Sequence, residues 1–241
     1  MTRERTPQHA SVTDTVELLG LVAQLEDSAF DRHAADAANA PDAEGRLLHS
    51  RFAAQAVERR DRVLSRVTEL GGDPVAAIAP YDTVLDDFDV RTQPSTWWER
   101  LLKGYVGAGV SDDFCRLAAR NLDPVSRALV LDVLDDAAQA ELSVRSLENA
   151  CAQDEVLTAR LALWGRRVVG ESLQIVQRLL VNHPGLARLM THAEHQEPAA
   201  ENDGQSAPPV VDAAAPAAPG KVLNELTAQH TRRMSRLKFT A

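Results

Sequence analysis

The chain has 241 residues, with 26 Lys and Arg against 35 Asp and Glu and a formal net charge of −9. That acidity excludes a default nucleic-acid binder, whose phosphate contacts need clustered cations. The 2 cysteines, Cys115 and Cys151, exclude a disulfide framework or a cysteine-rich zinc module and read as reduced core thiols. A 44% hydrophobic fraction with only 4% aromatics suits packed helices better than a sheet sandwich, in a chain long enough for one sizeable core.

Met1 to Pro7 contains no apolar leader segment. No run of about 18 apolar residues is present, so no membrane span is expected. A cytoplasmic location is expected by elimination. Residues 1–11 read as a flexible N-terminus. A first helix is expected from Ser11 or Thr13 to about Ala38, with a stripe through Leu19, Val22, Glu26, Phe30 and His33 at spacings of three and four. Pro41-Asp42 marks a restart. A second helix follows to Leu70, its stripe passing through Phe52, Ala56, Arg59, Val63 and Arg66, and Gly71-Gly72-Asp73-Pro74 ends it.

Residues 73–94, divided by Pro74, Pro80 and Pro94, read as a long crossover in which Val75 to Ala79 form a short helix. Ser95 or Thr96 caps a third helix striped by Trp98, Leu102, Val106, Gly109, Asp113 and Leu117. Gly104, Gly107 and Gly109 are costly there, by about 1 kcal/mol each, and suggest close helix approach. Asn121-Leu122-Asp123-Pro124 opens a fourth helix expected to run unbroken through Leu129, Val133, Asp136, Ala140 and Leu147. A fifth spans Asp154 to Val181 and stops at Asn182-His183-Pro184-Gly185; Leu186 to Met190 adds a turn or two.

The helical domain is thus expected over residues 12–193. Residues 194–220, rich in Ala, Pro and Glu, read as a disordered linker, and 221–241 as a basic amphipathic C-terminal segment with Lys221, Arg232, Arg233, Arg236 and Lys238. That segment, Lys221 to Lys238, is the expected contact for a protein or nucleic-acid partner, and the outer helix faces are the expected contact for a homo-oligomer. The fold class is all-α: a four-helix bundle with one long crossover, a fifth long helix and a C-terminal tail.

Four stripes carry an ionisable residue in their middle, amid apolar neighbours: Glu26, Arg59, Asp113 and Asp136. Charges on a core face are paired or bind metal. The stretches Val16–Phe30 (VELLGLVAQLEDSAF), Thr68–Pro74 (TELGGDP), Pro94–Phe114 (PSTWWERLLKGYVGAGVSDDF) and Leu161–Gln174 (LALWGRRVVGESLQ) resemble the ferritin-like actinobacterial proteins related to tRNA hydroxylases that oxidise isopentenylated adenosine. The resemblance covers residues 12–181. It implies a ferritin-like bundle, a di-iron centre and oxygen-dependent hydroxylation.

The resemblance places a glutamate at Glu26, an acid at Asp113 or its neighbour Asp112, and a Glu-x-x-His pair on each of two further helices. Ala56 and Arg59 stand where the first pair is expected; Asp136 and Gln139 stand where the second is. None of the 7 histidines follows an Asp or Glu by three residues, so no such pair exists in the chain. Arg59 is permanently cationic and presents a fork of donors to carboxylates. The expectation is a metal-free network of Glu26, Arg59, Asp113 and Asp136 in a non-catalytic binding or scaffold module. The alternative is an active non-haem iron hydroxylase on modified tRNA with an atypical ligand set. His33 reads as a core or bundle-end histidine, Glu171 as a solvated acid, and His192, Glu194 and His195 as a weak cluster beside the linker.

Overall fold

The computed structural model describes residues 10–135, 137–152, 154–194 and 219–239. Among them every regular element is helical. Helix α1 (Val12–Asn39) starts where Ser11 Oγ accepts the Asp14 N–H, and α2 (Ala43–Glu69) where the Asp42 carboxylate accepts the Gly45 N–H. Short polar side chains at both starts satisfy amide hydrogens that have no partner inside the helix. The two helices form a hairpin that is the most extensive packing in the molecule.

The crossover is structured throughout. It contains α3 (Pro74–Ile78), a 3₁₀ turn (Ala79–Tyr81) and α4 (Asp86–Arg91). Tyr81 is buried and its hydroxyl donates to the Glu17 carbonyl at 3.1 Å, so the crossover is pinned onto α1. Gly20 of α1 makes that approach possible: a Cβ there would collide with the Ala77 carbonyl. Helix α5 (Trp97–Ala119) is capped by Thr96.

The fourth long helix departs from expectation. It is two helices, α6 (Pro124–Val133) and α7 (Ala137–Cys151). Leu134 leaves helical geometry (ψ 5°), the Asp135 N–H returns to the Asp132 carbonyl, and the Arg116 guanidinium of α5 donates to the Leu134 carbonyl. A tightened last turn and a side-chain cap satisfy the end that an unbroken helix would have satisfied itself. The break lets α6 lie on α2 and α5 while α7 lies on α5 and α8 (Glu155–Asn182). Arg66, the second cation of the α2 stripe, ties α2 to the start of α6 through Asp123 (3.1 Å) and Ser126 (3.0 Å). Phe30, on the α1 stripe, is exposed, as is Val125 in the first turn of α6.

Helix α9 (Pro184–Glu194) folds back on α1, with Leu186 and Leu189 fully buried and Arg188 paired to Asp14. The core runs from Leu18, Leu21 and Val22 through Leu102, Val106 and Phe114 to Leu161 and Val168. The tail expected at 221–241 is helix α10 (Pro219–Arg236), and it lies along α5 and α8. Leu226, Met234, Leu237 and Phe239 are buried. Gly109 of α5 makes room for it: a Cβ there would strike the Arg233 guanidinium. Arg233 donates to the Gly109 carbonyl (3.0 Å) and Asp113 (2.7 Å), and Arg236 to Glu141 (2.9 Å). The amphipathic face is thus buried within the chain, where the sequence reading had left it for a partner. Residues 1–9 and most of the expected linker lie outside the described residues.

Candidate functional site

Helix α1 carries Glu26, His33 and Asp36. Seven residues span about two turns, or roughly 10.5 Å, so Glu26 and His33 share a face at two levels of the bundle. All three are buried.

At the Glu26 level, α2 supplies Arg59 and Ala56. Arg59 Nη1 stands 4.0 Å from Glu26 Oε2, with the two side chains 20% and 7% exposed. Ala56 is buried and offers only a methyl group. Two residues of α5 complete the picture differently from the expected network. Asp113 turns to Arg233 of the tail (2.7 Å) and to Arg116 (3.6 Å). It is Asp112 that shares a cavity of about 660 Å³ with Glu26, along with Arg32, Arg100 and Lys103. The structure therefore brings Glu26 to Arg59, and Asp112 to the cavity that Glu26 lines, while Asp113 serves the tail. Asp136 lies outside the described residues.

At the second level, the hairpin brings His49 of α2 to α1. His33 Nδ1 and His49 Nδ1 are 3.1 Å apart, and His49 Nδ1 is 3.9 Å from Asp36 Oδ2. Asp36 Oδ1 meets Arg100 Nη1 at 3.4 Å. The other nitrogen of His33, Nε2, lies 2.9 Å from the Gln139 amide of α7 and 3.3 Å from Arg32 Nη2. Phe52 and Trp97 stand edge-on to His49 at centroid distances of 6.0 and 5.5 Å. A second cavity, about 320 Å³, opens between this cluster and Trp97, Trp98 and Tyr105.

Burial, with Arg32 and His49 adding to it, holds the His33 imidazole far below its ordinary range, at about 2. Burial also lowers His49, against the pull of Asp36. It raises Asp36, against Arg32, His49 and Arg100. Both rings are neutral at pH 7 and present lone pairs.

The sequence reading located Glu26, Arg59 and Gln139. It assigned His33 a packing role and passed over Asp36, His49, Arg32 and Arg100. The available signal was His33-Ala34-Ala35-Asp36, a histidine and an acid one helical turn apart in the order opposite to the one sought. Gln139, singled out in the sequence as standing where a family ligand is expected, is hydrogen-bonded to the overlooked cluster.

A ferritin-like di-iron centre takes a Glu from each of two helices and Glu-x-x-His from each of two more. The donors at the Glu26 level do not fit it. Glu26 offers a buried carboxylate and Asp112 faces the same cavity, but Ala56 offers only a methyl group, Gln139 a neutral amide, and Arg59 puts a permanent cation within ion-pair distance of Glu26.

An all-helical chain with two long antiparallel hairpin helices, a helical crossover and two further long helical runs defines the class of ferritin-like bundles. The chain belongs to the actinomycete ferritin-like domain family, whose model matches residues 10–193. No curated protein matches it. No described helix is long and apolar enough to cross a membrane.

Proposed function

We propose that this chain is a ferritin-like binding module of the tRNA-hydroxylase-like branch in which a protein cation has replaced the di-iron centre and oxygen chemistry has been lost. The observation that carries the reading is the pairing of the buried Glu26 carboxylate with the half-buried Arg59 guanidinium, with Ala56 one turn away. A guanidinium there neutralises the carboxylate that would bridge metal ions, and its charge opposes a second cation. Such a pair adds little net stability, but loss of the cation leaves a buried carboxylate uncompensated.

The cavity of about 660 Å³ beside Glu26 is the place for a ligand. Its lining sets the cations Arg32, Arg100 and Lys103 against a larger number of acids, Asp31, Asp86 and Asp112 among them, which suits a polar occupant that carries positive charge. A macromolecular partner would meet the outward face of α10, where Arg232 and Arg236 are exposed, because its apolar face is covered.

The test is metal analysis after expression in iron-rich medium, followed by anaerobic Fe(II) loading and exposure to oxygen. The expected result is no pair of irons at the Glu26 level and no oxygen-dependent optical band. A stoichiometric iron pair that is lost in Glu26→Gln would sink this reading in favour of an active hydroxylase.

A further inference from the structure

Three side chains at the hairpin end of the bundle have no part in the function proposed above. His33 and Asp36 sit one turn apart on α1, and His49 reaches them from α2. One donor atom from each lies within 4.8 Å of the others, and all three residues are buried. With metal–nitrogen bonds of about 2.0–2.1 Å, adjacent donors in a tetrahedral or octahedral shell stand roughly 2.9–3.4 Å apart. The two Nδ1 atoms, at 3.1 Å, already have that spacing. The Asp36 Oδ2 to His49 Nδ1 distance of 3.9 Å closes with a carboxylate shift of under about 1 Å.

The surroundings hold these atoms in place. Gln139 engages the far nitrogen of His33, so Nδ1 is turned toward His49. Arg100 holds Oδ1 of Asp36, so Oδ2 is turned toward His49. A metal-binding histidine donates from the ring nitrogen away from the ion; in the metal-free protein that nitrogen of His33 accepts from the Gln139 amide and from Arg32. The ligand set leaves coordination positions over, and the cavity of about 320 Å³ lined by Trp97, Trp98 and Tyr105 lies against the cluster. Three protein donors with an open position are the arrangement of a reactive or exchangeable site, not of a closed structural one.

We propose that His33, His49 and Asp36 form a mononuclear site for a borderline divalent transition metal of the zinc, cobalt or ferrous class, opening on the aromatic cavity. On binding, the hydrogen shared between the two Nδ1 atoms moves to a far ring nitrogen, where the Gln139 amide turns its oxygen to accept it. Arg32 Nη2, now 3.3 Å from that nitrogen, swings away. Nearby Arg32 and Arg100 oppose the ion's charge, so the site binds more weakly than a four-ligand zinc site.

The test uses full-length protein stripped with chelator and titrated with Co²⁺, followed by its visible d–d absorption and by calorimetry. The expected result is one Co²⁺ per chain, competed off by Zn²⁺. His49→Ala and Asp36→Asn should each weaken binding by more than about 100-fold. Gln139→Ala, which removes only an orienting bond, should weaken it by about 10–100-fold. Circular dichroism checks that each variant is folded. If His49→Ala fails to fold, chemical-shift changes of the His33 and His49 rings in wild type with Zn²⁺ give the same answer. No Co²⁺ uptake by wild type, or uptake unaltered in every folded ligand variant, overturns the proposal and leaves the cluster as a closed hydrogen-bond network. An iron pair that needs Glu26 and survives His49→Ala contradicts the reading of the bundle centre, while the Co²⁺ result decides this one.

Discussion

The two sides of the bundle bury their surface by different means. On the α1–α2 side, Glu26, His33, Asp36 and His49 all lie inside, and each is held by a named charge or hydrogen bond from a neighbouring helix. On the α5–α8–α10 side the contact is mainly apolar. Among the described residues the only buried polar side chain of α8 is Ser172, which bonds back to its own helix at the Val168 carbonyl. The second side is held mainly by area and fit, which many sequences could supply, with Arg233 joining α10 to Gly109 and Asp113 and with Glu99 and His230 as its buried ionisable groups. The first is held by pairings that fail singly, and so is the place to look for function.

The largest test of that contrast is Arg59→Ala. Removing the cation should cost about 3–5 kcal/mol in denaturant unfolding, and Glu26→Gln in the same chain should restore most of it. Loss of under about 1 kcal/mol would mean the pair is not buried charge at all. On the apolar side, Leu226→Ala in α10 should cost about 2–4 kcal/mol through the void it leaves, with no second-site charge change able to recover it.

A third test uses acid. His230 of α10 is buried, and burial together with Arg233 lowers its imidazole to about 4. The unfolded chain therefore binds more protons between about 6.5 and 4, so stability is whole above that window and falls as pH drops through it. Between pH 7.5 and 5 this group should cost about 2 kcal/mol. His230→Leu should flatten the curve by that amount; equal slopes for the two proteins would show that the tail leaves its groove before the ring titrates. The smallest effect belongs to Gln139→Ala, at about 1 kcal/mol for one hydrogen bond in metal-free protein.

The local chemistry of the chain made the fold legible where it acts over a few residues. Ser11, Asp42, Thr96, Asp123 and Asp154 all cap helices where short polar residues precede apolar periodicity. The break between α6 and α7 was not legible, because the contact that caps it comes from another helix, Arg116 of α5 donating to the Leu134 carbonyl. The site divides in the same way. Glu26 and Arg59 stood out as charges on apolar stripes. His49 continues the α2 stripe three residues before Phe52, but it meets His33 only through the register of the hairpin, which no local pattern records. Asp113 was misplaced toward the centre for a related reason. A residue's helix face can be read from its neighbours, but the arrival of a tail 120 positions later cannot.

The seating of α10 has one more consequence. Its hold on the bundle comes from Leu226, Met234 and Phe239 in the groove and from Arg233 clipped at Gly109 and Asp113, and none of this needs the peptide chain that joins it to α9. A protease nick anywhere in 195–218 should therefore yield two fragments that travel as one particle. A synthetic 219–239 peptide should also complement a chain truncated after α9, making the terminal helix a replaceable cartridge for labels or cross-linkers.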